Sequence, residues 1–168
     1  MTDPGWRLVW RSDDTGLEVH SERMPGYVRM RVASQPHGPG AVVWAERDGL
    51  VLFIGLDRPA VGERLIELPR GGAERIDADT VATARRELHE ETGMRAEHAA
   101  AVGRIWPDSG LLADAVDVVR ATGLSAGDPA EFADQRWLAD AEIDRAIADG
   151  GIRDGITLSA IALVRATR

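Results

Sequence analysis

A mixed α/β domain is the fold class that the sequence predicts: a mixed central sheet covered by helices, with an antiparallel strand segment at its N-terminus. Three observations carry this reading. Short apolar runs separated by turn residues fill most of the chain. One long stretch of helical periodicity, residues 79–92, interrupts them, and two more, 141–148 and 157–166, close the chain. Strands interspersed with a few helices build layered sheets rather than bundles. The 168 residues suit one compact domain, and 44% apolar residues allow a sizeable core.

The elements follow in order. Residues 6–10, 17–20 and 27–32 read as short strands, with Asp14-Thr15-Gly16 and Pro25-Gly26 as turns. Residues 35–40, Gln-Pro-His-Gly-Pro-Gly, form a loop by composition. This loop separates an N-terminal strand segment, 1–38, from a main domain, 39–168. Apolar runs at 41–45 and 50–56 flank Arg47-Asp48-Gly49, and Asp-Gly between two such runs predicts a hairpin. A short strand at 66–68 ends at Pro69 and leads into Arg70-Gly71-Gly72, a flexible backbone stretch. The helix over 79–92 stops at Gly93. Strands are expected at 99–106, 115–121 and 135–138, with Pro107-Asp108-Ser109-Gly110 as a loop between the first two.

Composition removes several function classes. The chain has no cysteine, which excludes disulfides, thiolate zinc sites and a cysteine nucleophile. Its histidines, His20, His37, His89 and His98, do not pair at ligand spacing. A net charge of −8 repels nucleic-acid backbones, so no nucleic-acid partner is expected. A small anionic substrate remains compatible if a metal ion and local arginines offset the field. No apolar run approaches the roughly 20 residues of a membrane-spanning helix. The first residues lack the apolar stretch of a signal peptide, so a cytoplasmic protein is expected. Every basic residue is Arg and none is Lys, which reflects genomic base composition more than function.

The segment Arg85-Arg86-Glu87-Leu88-His89-Glu90-Glu91-Thr92-Gly93-Met94 carries most of the chemistry. At about 100° per residue, Glu87, Glu90 and Glu91 share an arc of about 100°. Val81, Ala84 and Leu88 form an adjoining apolar stripe that docks the helix, and His89 falls on the solvated side. The carboxylates are unfavourable for the helix itself. Glu87 and Glu91 are like charges at i, i+4, which costs a few tenths of a kcal/mol. Glu90 and Glu91 stand at the end where the helix dipole favours cations. Arg86 relieves part of this, and a hard dication such as Mg²⁺ would relieve the rest. A solvated acidic face is the alternative; the Gly-Gly stretch before the helix and the Gly stop after it weigh against that.

These residues resemble the Nudix box, G-x5-E-x7-R-E-U-x-E-E-x-G-U with U aliphatic. Gly72 matches its first glycine, and Arg86, Glu87, Leu88, Glu90, Glu91, Gly93 and Met94 fill its second half. Residues 65–72 and 106–112 are similar to the flanking segments of ADP-ribose pyrophosphatase-like members. The resemblance implies an α/β/α sandwich and a metal-dependent pyrophosphohydrolase. It implies that Glu87, Glu90, Glu91 and the Gly72 carbonyl hold Mg²⁺ or Mn²⁺. Glu87, Glu91 and Arg86 would serve the reaction, with Glu131 as a further base or ligand. Arg58, Arg70 and Gly72 would contact substrate. The substrate expected is a small nucleotide diphosphate, ADP-ribose or a nucleotide sugar. Clean-up of oxidised nucleoside triphosphates and non-catalytic sensing of a nucleotide metabolite stand as alternatives. A homodimer through the N-terminal strands is also implied. Packing is the role read for each of the five Trp residues. One departure stands out: the first box glutamate falls at position 78, which is Ala78, leaving Asp77, Asp79 or Glu74 to partner Arg86.

Overall fold

The computed structural model describes residues 5–34 and 37–167, so Gln35 and Pro36 of the expected loop lie outside the described residues. It has two sheets. β1 (Arg7–Arg11), β2 (Glu18–Met24) and β3 (Tyr27–Ala33) form an antiparallel meander. The second sheet contains β4 (Gly40–Arg47), β5 (Leu50–Arg58), β6 (Glu63–Glu67), β7 (Arg70–Gly71), β8 (Met94–Ile105), β9 (Val116–Ala126) and β10 (Gln135–Ala139). Its order is β10-β5-β4-β9-β8, with β6 paired to β5 and β7 to β4. β4 and β9 run parallel while their other neighbours are antiparallel, so the sheet is mixed as expected.

β4 is buried from Gly40 to Ala45, and β5 from Val51 to Leu56. A strand with no polar face must be covered on both sides, and successive side chains divide accordingly. Ala41, Val43, Ala45 and Leu52 meet Ala84 and Leu88 of α1 (Thr80–Thr92). Val42, Trp44 and Phe53 meet Ile143 of α2 (Asp140–Ala148) and Ile161 and Val164 of α3 (Gly155–Ala166). The result is a sheet between helical layers, the α/β/α sandwich. Among the described residues, no helix is long and apolar enough to cross a membrane.

The β4–β5 hairpin turns at Asp48 and Gly49, whose φ values of 54° and 76° are the paired positive angles that a two-residue turn of this hand requires. Helix α1 begins where the Asp79 side chain accepts the Ala82 N–H, and it ends at Gly93 with φ 70°.

Among the elements that differ from expectation are those that flank α1, besides β2 and β9, which run on to Met24 and Ala126. The strand expected at 66–68 is β6, Glu63–Glu67, and a separate β7 follows. Pro69 divides them because it has no N–H for a ladder; its carbonyl accepts the Val43 N–H at 2.8 Å. The chain thereby leaves β5, joins β4 and carries Arg70-Gly71 beside α1. β8 begins at Met94, five residues before the expected strand, because pairing with β9 overrides the weak β-propensity of Arg95-Ala96-Glu97.

The meander is tied to the body through β3. The Val32 N–H donates to Leu111 O at 2.9 Å, the Ala113 N–H donates to Val32 O at 2.8 Å, and the Ser34 N–H and hydroxyl both donate to Asp114.

Candidate active site

Helix α1 docks with a rotation that the apolar stripe did not specify. Val81 is only partly buried, whereas Thr83, Ala84, Leu88, Glu91 and Thr92 are buried. Glu91 therefore points into the body instead of along an exposed edge. Its Oε2 accepts the Arg70 N–H at 2.9 Å. Burial pushes this carboxyl up to about 7, against the pull of that hydrogen bond. Glu87 is also held above the ordinary carboxylate range by burial, although Arg86 pulls it back.

The backbone of β7 makes this crowding possible. A Cβ on Gly71 would stand 2.1 Å from the Glu87 carboxylate, while one on Gly72 would meet nothing within 4 Å. The close approach is thus made at Gly71, the residue before the glycine matched to the box. The Gly72 carbonyl instead accepts Arg86 Nη2 at 2.7 Å.

Arg86 is the hub of the cluster. Its Nη1 donates to Glu87 at 2.8 Å and to Glu90 at 2.9 Å; its Nη2 also donates to Asp77 at 3.0 Å. Among the described residues, no three acidic or histidine side chains stand preassembled around a metal position. Arg86 occupies Glu87 and Glu90, and Glu91 is turned to β7. The donor set nevertheless fits a hard dication. It offers three carboxylates on adjoining turns, and burial raises two of them, Glu87 and Glu91, above the ordinary range.

A second acidic residue controls the arginines. Glu67 is fully buried. Arg58 holds it bidentately, Nε to Oε1 at 2.9 Å and Nη2 to Oε2 at 2.7 Å. Arg70 Nε donates to Oε2 at 2.9 Å and its Nη2 stands 3.5 Å from Asp154, the N-cap of α3. Sequence reasoning missed Glu67. Its signal was a carboxylate inside the apolar run 65–68, where a buried charge demands cationic partners.

Glu131 reaches the cluster through its backbone. Its N–H donates to Glu90 O at 3.0 Å, and that of Phe132 to Glu91 O at 3.1 Å, closing the carbonyl end of α1. The Glu131 side chain is exposed. His89, expected to be solvated, is half-buried and bonded to Asp128 at 2.9 Å, because the same returning segment covers that side of the helix. Of the tryptophans, Trp44 is core, Trp6 stacks under Arg31, Trp137 stacks under Arg47, and Trp10 and Trp106 are exposed.

A cavity of about 330 Å³ opens beside the glycines. Arg70, Gly71 and Gly72 form one wall, Pro107 and Asp114 another, and Ser34 at the end of the meander a third. Among the described residues, Arg70 is the one cationic residue of its lining, which is otherwise mostly apolar.

Comparison with known proteins bears on the family and the fold. The NUDIX domain model matches residues 35–156. The ADP-ribose pyrophosphatase of Mycobacterium tuberculosis (strain ATCC 25618 / H37Rv) is 31% identical over 151 residues, spanning 86% of this chain and 73% of that protein. A solved structure described as an ADP compounds hydrolase superposes with a TM-score of 0.78 over 96% of this chain and 90% of its own, at 18% identity; that likeness is one of fold. On a match that takes in most of the chain, and with the box residues gathered on α1, this protein belongs to the Nudix family as a pyrophosphohydrolase related to ADP-ribose pyrophosphatase.

Proposed function

We propose that the protein hydrolyses, with Mg²⁺ or Mn²⁺, the diphosphate bond of a nucleoside diphosphate joined to another moiety. ADP-ribose or a nucleotide sugar is the substrate, and a nucleoside monophosphate and a sugar phosphate are the products. The observation that carries this reading is the placing of Glu87 against Gly71 and of Glu91 on the Arg70 N–H, one turn apart on α1 with Glu90 between them, beside a cavity lined by Arg70. Glu87, Glu90 and Glu91, with the Gly72 carbonyl, would hold the cation, which when bound neutralises the diphosphate and acidifies the attacking water.

The remaining roles belong to the chain itself. Arg70 lines the cavity and contacts a phosphate. Arg58 shares Glu67 with it, and reaches substrate only by releasing that carboxylate. Arg86 positions Glu87 and Glu90 and adds positive charge where the diphosphate sits. Glu131, fixed by its backbone at the end of α1, is the candidate base for the attacking water.

The first test is product release from ADP-ribose, GDP-mannose, UDP-glucose, NADH, diadenosine polyphosphates and 8-oxo-dGTP, each with Mg²⁺, Mn²⁺ or EDTA. AMP from ADP-ribose, abolished by EDTA, is expected. Turnover that persists in EDTA would remove the metal from the reaction, and binding without turnover anywhere would favour the sensor reading.

We also propose a homodimer through the meander. Leu8, Val9, Trp10, Tyr27, Val28 and Met30 are each 43–57% exposed on its two outer strands, divided between its two sides, and exposed apolar surface of this extent favours association. Light scattering should give twice the 18.2 kDa chain mass, and a species at 18.2 kDa would contradict the dimer.

A further inference from the structure

We infer that Asp77 performs, one position early, the task that the box pattern gives to residue 78: it anchors Arg86, and with it the 72–79 loop, while Glu87 and Glu90 hold a cation. The inference rests on the proposed role of those two glutamates. Three carboxylates were open to this task, and the structure separates them. Asp79 is committed to the N-cap of α1 through the Ala82 N–H. Glu74 stands 3.7 Å from Arg86 with its side chain 59% exposed, so water screens it. The Asp77 side chain is 5% exposed against an Arg86 side chain at 14%. Asp77 takes Arg86 Nε at 3.3 Å on Oδ1 and Nη2 at 3.0 Å on Oδ2.

A shorter carboxylate from an earlier position reaches the guanidinium because the loop is closed on itself. The Asp77 N–H donates to Glu74 O at 3.1 Å, and the Glu74 N–H donates back to Asp77 Oδ2 at 2.9 Å. That turn points the Asp77 side chain inward and leaves Ala78 exposed.

The physical need for such an anchor follows from charge. Arg86 now spends two of its bonds on Glu87 and Glu90. A dication that claims those oxygens removes both bonds and repels the guanidinium at short range. Asp77 is the buried charged partner left to Arg86 in that state, since the Gly72 carbonyl is itself among the proposed ligands. Without the Asp77 charge, Arg86 would be driven outward, and the 72–79 loop that is tied to it through Asp77 would loosen.

The test uses the full chain without substrate: amide hydrogen exchange over residues 72–79 in EDTA, and Mn²⁺ binding followed by electron paramagnetic resonance. Asp77→Ala should speed exchange in that loop about tenfold or more and weaken Mn²⁺ about tenfold. Adding Ala78→Glu to Asp77→Ala should restore both, since it returns a carboxylate to the position in the family pattern. Unchanged exchange and Mn²⁺ affinity in Asp77→Ala overturn the inference. So does a folded double variant that restores neither, because the loop would then depend on the bond to Glu74 and not on the charge. Should Asp77→Ala fail to fold, Asp77→Asn carries the test: both measurements must move, and unchanged values overturn it. Neither readout requires turnover, so failure of this inference and failure of the hydrolase reading are distinguishable.

Discussion

Glu91→Gln is expected to abolish most activity while making the metal-free protein more stable at alkaline pH. The first effect follows from the proposed ligand role. Loss of one charged ligand from a site that must neutralise a diphosphate should lower kcat about 100-fold or more. The second follows from burial. The folded-state carboxyl is pushed up to about 7 from an ordinary value of 4.5. A group raised in this way contributes stability that is full below the unfolded value and is lost as pH rises through the folded one. Wild type in EDTA should therefore weaken between about pH 4.5 and 7, by about 1–3 kcal/mol from this group. The substituted amide can still accept the Arg70 N–H and carries no charge, so the variant should escape that loss. Urea unfolding at pH 5 and pH 8 measures the difference. A variant no more stable than wild type at pH 8 would show that burial of charge is not what raises this carboxyl, and unaltered kcat would remove Glu91 from the reaction.

The largest stability effect is expected at Glu67. Glu67→Ala removes a fully buried carboxylate that accepts from two arginines, and leaves Arg58 and Arg70 facing each other across the gap. Breaking a buried ion pair from one side costs about 3–5 kcal/mol. Both arginine side chains retain some solvent contact, at 33% and 23%, so the lower end applies. About 3 kcal/mol corresponds to a melting shift of roughly 6–12 °C for a domain of this size. Adding Arg58→Ala to Glu67→Ala should recover part of the loss, because one of the two unpaired cations disappears. A Glu67→Ala protein that melts within about 2 °C of wild type would contradict the clamp. The double variant melting lower still would mean that Arg58 stabilises the fold through other contacts.

Much of the fold was legible because its signals are local. Asp48-Gly49 encodes its own turn, Asp79 and Gly93 encode the two ends of α1, and the continuous apolar runs of β4 and β5 encode burial on both faces. The spacing of Glu87, Glu90 and Glu91 marked α1 as the candidate site, since like charges at i, i+4 and two carboxylates at the dipole's negative end need a reason to be there. What the spacing left open is which way the helix rolls. Periodicity pointed to Val81, Ala84 and Leu88, yet docking on Ala41, Val43 and Leu52 buried Glu91 and left Val81 at the margin.

The sequence by itself determined the layered α/β class, the limits of the acidic helix and the residues that carry its charge, because each depends on neighbours a few positions apart. Tertiary structure alone decided that Gly71 and not Gly72 meets Glu87, that Glu67 gathers Arg58 and Arg70, and that Asp77 is the acid that reaches Arg86. Those outcomes turn on contacts between β5, β6, β7 and α1, whose relative placement follows from the sheet register and from the break at Pro69. A shift of one residue in either would exchange the partners without altering a single local preference.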